Sequence, residues 1–241
     1  MLKISLVALA IFSLLLIAIA GNNLVFGSKQ QAIAQTMSIT TAIHYQSIVT
    51  INNNGILTGT RTNNNINAFS IYKNPIYGIE IQYPSKWEKI DFAQTINGNN
   101  NNNAAALIAG FLSTSKNDTG ILENLMIREV RLASPDITTR EFSNALLSSY
   151  KEQFKNFQLV GSNASMTLSG KPAYEVVYTY GVQPNIFKTM EVWVVNGNRA
   201  YMILYNADPS DYSHCLPIIH RMVSSFTFTF TLTHKSFPNM I

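Results

Sequence analysis

Charged side chains are scarce in this chain of 241 residues: Asp, Glu, Lys and Arg make up 12% of it, about half the usual share. Two of the 17 basic residues, Lys3 and Lys29, lie in the amino-terminal leader, so 15 basic residues remain against 13 acidic ones. No cluster of Lys and Arg occurs. This argues against a nucleic acid as partner, because phosphates call for a concentrated basic surface.

Cysteine and the familiar catalytic motifs are scarce too. Cys215 is the single cysteine, which excludes an internal disulfide, and we expect it to be a buried apolar residue of the last helix rather than a nucleophile. The spacings typical of zinc proteases, serine hydrolases, phosphate-binding loops and calcium loops are missing. His214 and His220 are six residues apart and do not predict a metal pair. We therefore predict no catalytic residue, no metal ligand and no enzyme.

The leader is the most informative segment present. Residues 4–20 are almost wholly apolar and follow Lys3, and Ala32-Ile33-Ala34 supplies the small-x-small pattern of a signal peptidase site. The pattern predicts a signal peptide over 1–34, cleaved after Ala34, and an exported, extracytoplasmic protein. The alternative is a retained anchor, since 17 apolar residues lie at the lower limit for crossing a bilayer core of ~30 Å. In that case the leader makes the membrane contact.

Asparagine-rich stretches divide the rest of the chain. Residues 51–67 hold two asparagine runs and little periodicity, so 35–67 are predicted to be a flexible tether. The folded domain is predicted over 68–231, with a carboxy-terminal tail over 232–241. A second asparagine run, 97–103, is interpreted as a loop inside the domain.

Alternating patterns predict an antiparallel sheet. Asn196-Gly197 favours a tight hairpin of type I′, and Ser169-Gly170 precedes another strand. In the strand around Arg128 charges fall on both faces, which leaves its buried face open. The predicted strands are 69–72, 79–83, 106–113, 125–132, 158–168, 173–180, 186–195, 199–207 and 226–230.

Two helices are predicted. Thr138 and Glu141 form a capping box ahead of an apolar stripe that runs from Phe142 to Phe154, with Lys151, Glu152 and Lys155 on the solvated face. Asp208-Pro209 is predicted to open the second helix, which Pro217 should kink or split.

The order of these features resembles the PsbP family, whose founding member is an extrinsic subunit of the photosystem II oxygen-evolving complex. The resemblance covers 68–230, about two-thirds of the chain. Its residues are Tyr77-Gly78-Ile79-x-Ile81-x-Tyr83-Pro84-x-x-Trp87, Gly170-Lys171-Pro172-Ala173-Tyr174 and Ser224-Ser225-Phe226. It implies an α+β fold in which helices flank both faces of an antiparallel sheet, and a role in binding or assembly rather than catalysis. For plant members it implies docking to a membrane complex and retention of calcium. The asparagine-rich tether and the lack of an acidic cluster mark this chain as an exported member that is not of the plant type.

Aromatic residues of the second half are the candidate binding surface. We predict that one face of the sheet presents these residues to a partner or ligand, although core packing is the alternative; they are Tyr174, Tyr178, Tyr180, Trp193, Tyr201 and Tyr205. The sequons at Asn117 and Asn163 are candidate glycosylation sites in an exported protein.

Three functions follow from these observations. The leading hypothesis is an exported, non-catalytic binding or assembly protein that docks on a membrane-associated protein complex. The second is an extracytoplasmic carrier of a small ligand or metal ion, in which the same aromatic residues line a pocket. The third is a hydrolase with an unfamiliar site.

Overall fold

The computed structural model describes residues 68–92, 105–114, 123–182 and 185–229. The predicted signal peptide with its cleavage site at Ala34, the tether over 35–67, the loop over 97–103, Asn117 and the tail over 232–241 lie outside these ranges. Among the residues described, no helix has both the length and the apolar character needed to cross a bilayer.

Within the described residues, ten strands form two antiparallel sheets, and two helices accompany them. The smaller sheet has the strand order β1-β2-β10, and the larger has the order β3-β4-β5-β9-β8-β7-β6. The elements are β1 Phe69–Asn74, β2 Ile79–Pro84, β3 Glu88–Asp91, β4 Ala105–Leu112, β5 Asn124–Arg131, α1 Thr139–Gln153, β6 Gln158–Leu168, β7 Lys171–Val182, β8 Asn185–Asn196, β9 Arg199–Ala207, α2 Tyr212–Ser224 and β10 Thr227–Phe228.

The predicted first hairpin is present, but it belongs to a sheet of its own. β1 pairs with β2, and β10 returns to pair with β2 at Glu80 and Ile79. A turn in which the Trp87 N–H donates to the Pro84 carbonyl at 2.9 Å ends β2 and directs the chain into β3 of the large sheet. The expectation of a single sheet is therefore wrong, because the Pro84–Trp87 turn interrupts the pairing.

The second half forms the predicted meander, β6 to β9, with neighbours paired in sequence order. Ser169 and Gly170 both take positive φ, which is the type I′ arrangement. At the last hairpin Asn196 pairs with Arg199, so the loop is Gly197-Asn198, and only Gly197 has positive φ. The hairpin prediction is confirmed, while its turn pair lies one residue later and resembles type II′, which takes glycine first.

Two apolar cores lie on the two sides of the large sheet. Successive residues of β8 alternate between them: Val192 and Val194 belong to the core that holds α2 and the small sheet, and Trp193 belongs to the core that holds α1. This follows from the period of two in a strand. The predicted α+β class is confirmed. The finer expectation of helices flanking both faces of one sheet stays a prediction, since the small sheet shares a core with α2.

α1 begins as the sequence predicts. The Thr138 hydroxyl accepts from the Glu141 N–H at 3.2 Å, and the Glu141 carboxylate accepts from the Thr138 N–H at 2.9 Å. Ile137 and Phe142 are buried in the same core, as expected for a hydrophobic staple. Lys151, Glu152 and Lys155 are exposed, as predicted.

Replacing Thr138 by alanine should lower the free energy of unfolding by about 1 kcal/mol, because the Glu141 N–H loses its side-chain acceptor. Urea unfolding followed by circular dichroism measures the change. Glu152→Ala, at the exposed end of the same helix, is the control and should stay within about 0.5 kcal/mol of the parent. Equal losses for both variants would contradict the role of the capping box.

α2 corrects the expectation about where the helix begins. Asp208 does not open the helix: its carboxylate accepts from Ser210 at 2.9 Å in a turn, and the helix begins at Tyr212. The reason is that a short side chain followed by proline satisfies a local turn just as well as a helix end. Pro217 was predicted to kink or split this helix: α2 is not split, since it continues to Ser224, and the kink stays a prediction. Cys215 is buried in this helix, as predicted.

Candidate functional site

The six aromatic residues predicted as one binding face lie on two sides of the large sheet. Tyr174, Tyr178, Tyr180 and Trp193 pack in the core beneath α1, whereas Tyr201 and Tyr205 pack in the core beneath α2. Side chains alternate between the two faces along a strand, and the pairing of β9 with β8 directs Tyr201 and Tyr205 to the face opposite Trp193. Five of the six are buried, and Tyr174 is half-buried.

Polar atoms of these rings are engaged inside the protein. The Trp193 indole N–H donates to the Ser143 hydroxyl at 2.7 Å, which joins β8 to α1. The Tyr201 and Tyr205 hydroxyls donate to the carbonyls of Tyr77 and Tyr212 at 3.0 and 2.9 Å. The prediction of a single aromatic docking face is therefore wrong, and core packing, the alternative interpretation, describes these residues.

A buried ion pair was not predicted. The guanidinium of Arg128 on β5 donates to the Glu191 carboxylate on β8 at 2.6 Å, and the two side chains are 1% and 0% exposed. The hydroxyls of Tyr150 and Tyr178 donate to the same carboxylate at 2.9 and 3.0 Å. Arg128 also donates to the Tyr150 hydroxyl at 2.9 Å. The sequence gives little signal for this pair, because β5 also carries Glu129 and Arg131 and β8 also carries Lys188.

This network has a structural role and is not an active site. Burial, reinforced by the charge of Glu191, raises the pKa of Tyr150 and Tyr178 well above the ordinary value, so both hydroxyls remain protonated donors. Perturbed tyrosines can mark a catalytic site when they line a cleft. Here all four side chains are buried beneath α1, which gives a substrate no route to them. Their contacts fix α1 to the sheet.

Two exposed apolar side chains lie next to each other on one edge strand of the large sheet. β6 is the last strand in the sheet order, so among the described strands it has a neighbour, β7, on one side only. Leu159 and Val160 are 45% and 58% exposed. The strand is 11 residues long and contains neither a charged residue nor a proline. Register shifts at 159–161 and 163–166 bend it locally.

The opposite edge, β3, differs in each of these respects. It has only four residues, and three of them are charged: Glu88, Lys89 and Asp91. Short length and charge are the usual means by which proteins protect a sheet edge from pairing with another chain. β6 lacks both, so of the two edges that the described strands form in this sheet it is the one without these protections. The candidate functional site is this strand.

Asn163, the described candidate for glycosylation, lies in β6. It is exposed, and its side-chain oxygen accepts from the Ser165 N–H at 2.9 Å. A glycan at Asn163 would cover the strand, so glycosylation there and docking through β6 exclude one another.

Three residues with metal-binding side chains meet where the start of β5 approaches α2. One ligand atom each of Glu123, His214 and Cys215 lies within 4.8 Å of the other two. Burial, together with the charge of Glu123, raises the pKa of the Cys215 thiol to about 11, so the thiol is protonated near neutral pH. Calcium, which the family resemblance implies for plant members, does not fit this donor set, since it takes six to eight oxygens.

The residues of the family motif have structural roles. Ile79 and Ile81 are fully buried in the core beneath α2, and Trp87 is 9% exposed at its margin. Gly78 takes φ +63, and a Cβ there would meet the Thr229 carbonyl oxygen at 3.2 Å. Glycine is favoured at this position because it tolerates both the backbone conformation and the close approach.

Residues 33–228 match the family model described as PsbP-like protein. The chain belongs to the PsbP-like family. The resemblance drawn from the sequence is confirmed, and the match extends upstream of the predicted domain start at Ala68. A comparison with curated proteins found no match to this PsbP-like chain.

Solved structures of related shape have low identity to the PsbP-like chain. One is the solution structure of cyanobacterial PsbP (CyanoP) from Synechocystis sp. PCC 6803, with 15% identity, a TM-score of 0.49, and coverage of 70% of this chain and 98% of that one. Another is LpqN of Mycobacterium tuberculosis, described as involved in cell envelope biogenesis, with 14% identity, a TM-score of 0.47, and coverage of 63% and 83%. At such low identity and TM-score, neither likeness says anything about function.

Proposed function

We propose that this PsbP-like chain is an exported, non-catalytic binding or assembly protein that docks on a membrane-associated protein complex through the β6 edge. The observation that carries the proposal is the contrast between the two edges of the large sheet. One edge is protected by charge and shortness, and the other presents a long, charge-free strand. The apolar leader supports export, and it would also hold the domain at a membrane if it is retained as an anchor.

The chemistry of β6 specifies its occupant. Every second N–H and C=O along the outer side of an edge strand points away from its own sheet and is free to pair with another strand. A partner segment in extended conformation satisfies these groups by adding a strand, and its side chains select the register. Leu159 and Val160 would contact apolar side chains of that segment, and no charge on β6 favours an acidic or basic one. The expected occupant is therefore an uncharged, extended segment of a membrane-associated protein.

The carrier hypothesis has less support in its original form. It required the six aromatic residues to line one pocket, and they instead pack against α1, α2 and one another in two separate cores. The hydrolase hypothesis is not favoured either, because the strongly perturbed tyrosines are enclosed. Membership of the PsbP-like family agrees with a binding role.

Replacing Val160 by lysine should abolish docking. A charge near the start of the edge strand costs desolvation when an apolar partner strand covers it, and lysine is the residue that natural edge strands use against pairing. The full chain, with a photo-crosslinking residue at Ser162, is expressed in its native host and irradiated in intact membranes. We expect one crosslinked membrane-associated protein, and Val160→Lys should lower its yield at least about tenfold, equivalent to about 1.4 kcal/mol.

Ile76→Lys is the matched control. Ile76 is 75% exposed and lies in the turn between β1 and β2, so its replacement adds the same charge away from β6. Circular dichroism should show that both variants are folded. Equal yields for the two variants, or no crosslink from Ser162, would overturn the assignment of β6 as the docking strand.

A further inference from the structure

Glu123, His214 and Cys215 come from parts of the chain that are about ninety residues apart. Glu123 immediately precedes β5, and its backbone carbonyl accepts from the Ser113 N–H at 2.8 Å, which fixes the start of that strand beside β4. His214 and Cys215 lie in the first turn of α2. Consecutive helical residues are about 100° apart, so Cys215 points into the core while His214 remains exposed at its margin.

One of the two oxygens of the Glu123 carboxylate lacks a hydrogen-bond donor. The residue is 3% exposed, and its Oε2 atom accepts no hydrogen bond from the described part of the protein. A buried carboxylate oxygen without a donor or a cation is strongly destabilising, so proteins rarely keep one unless something binds to it. The neighbouring groups are a thiol and an imidazole, which are themselves metal ligands.

We propose that Glu123, His214 and Cys215 form a binding site for Zn²⁺. A sulfur, an imidazole nitrogen and a carboxylate oxygen are the three ligand types that zinc combines, whereas magnesium and calcium require oxygen ligands throughout. Zinc bonds of about 2.0 to 2.3 Å in a tetrahedron place the ligand atoms about 3.5 Å apart. The atoms here lie within 4.8 Å of one another, so a modest inward rotation of the exposed imidazole and the carboxylate closes the site.

Binding exchanges a proton for the metal. The Cys215 thiol loses its proton to solvent as the sulfur–zinc bond forms, and Glu123 gains the cation that its buried oxygen lacks. Three protein ligands leave the fourth tetrahedral position to water or to a donor from another molecule. The ion enters from the side of His214, the exposed ligand. The bound ion links the start of α2 to the start of β5 through its protein ligands.

Metal titration of the full chain, purified in detergent without a polyhistidine tag, tests the site. Co²⁺ should give a thiolate-to-cobalt charge-transfer absorption at one equivalent, and Zn²⁺ should abolish it by displacement. Cys215→Ser should remove the band. Glu123→Gln and His214→Ala should each weaken Zn²⁺ binding at least about tenfold, because even the loss of an outer-shell contact typically costs 10- to 100-fold.

His220→Ala is the matched control, since His220 is an exposed histidine on the same helix outside the cluster. It should bind Zn²⁺ like the parent. Thermal unfolding without metal shows which variants are folded, and Zn²⁺ should raise the melting temperature of the parent and His220→Ala but not of Glu123→Gln. No cobalt–thiolate band in the parent, or equal Zn²⁺ affinity of Glu123→Gln, His214→Ala and His220→Ala, would overturn the proposal. The site is independent of β6, so neither result bears on docking.

Discussion

Replacing Glu191 by glutamine should lower the free energy of unfolding by about 3–5 kcal/mol, the cost of leaving one member of a buried ion pair without its partner. The guanidinium of Arg128 is 1% exposed and keeps its charge, so it cannot recover the lost interaction from water. The hydroxyls of Tyr150 and Tyr178 also exchange a charged acceptor for a neutral amide. Chemical unfolding followed by circular dichroism measures the loss as a lower midpoint.

The ion pair between Lys73 and Glu80 is the matched control. Its N–O distance is 2.9 Å, but the side chains are 65% and 26% exposed. Glu80→Gln should therefore cost less than about 1 kcal/mol, as exposed pairs usually do. If Glu191→Gln cost no more than Glu80→Gln, the buried network would not hold α1 to the sheet.

A further comparison separates the charge from the hydrogen bonds. The double variant Arg128→Met with Glu191→Leu removes both charges, so it should be more stable than Glu191→Gln. It still leaves two buried hydroxyls without their acceptor, and each such group costs about 1–3 kcal/mol. Adding Tyr150→Phe and Tyr178→Phe should recover part of that loss. A double variant less stable than Glu191→Gln would show that the charges themselves stabilise the fold.

Local signals in the sequence predicted local structure well. The capping box needs only Thr138 and Glu141, three residues apart, and both hydrogen bonds are present. The hairpin before Arg199 likewise depends on a two-residue loop. Both interactions form within one turn of chain, so residue type and spacing determine them.

Features that depend on distant pairing could not be predicted. Arg128 and Glu191 are 63 residues apart, and they meet because β9 lies between their strands. Glu123 and Cys215 meet only once α2 lies over the start of β5. The aromatic set failed for the same reason: alternation shows which residues of one strand share a face, but not which faces of different strands coincide. The availability of β6 also depends on strand order, which sequence pattern does not give.

Replacing Trp193 by alanine should destabilise the domain by about 3–5 kcal/mol, the usual cost of removing a large ring from a core. Its side chain is fully buried beneath α1, where it stacks on Tyr174 with a centroid distance of 5.4 Å and meets the edge of Phe142 at 6.4 Å. For a chain of this size we expect the melting temperature to fall by about 10 °C. Calorimetry or circular dichroism gives both quantities.

Two variants make this prediction specific to the core beneath α1. Trp193→Phe retains most of the ring but removes the N–H that donates to Ser143 at 2.7 Å, so it should cost about 1–2 kcal/mol. Ile186→Ala, at a 55% exposed position of the same strand, should change stability by no more than about 0.5 kcal/mol. A docking role for Trp193 in place of the core role would give the reverse pattern: Trp193→Ala would leave stability unchanged and lower the crosslink yield from Ser162. The burial of the ring favours the first outcome, because a side chain beneath α1 cannot contact a partner while α1 remains in place.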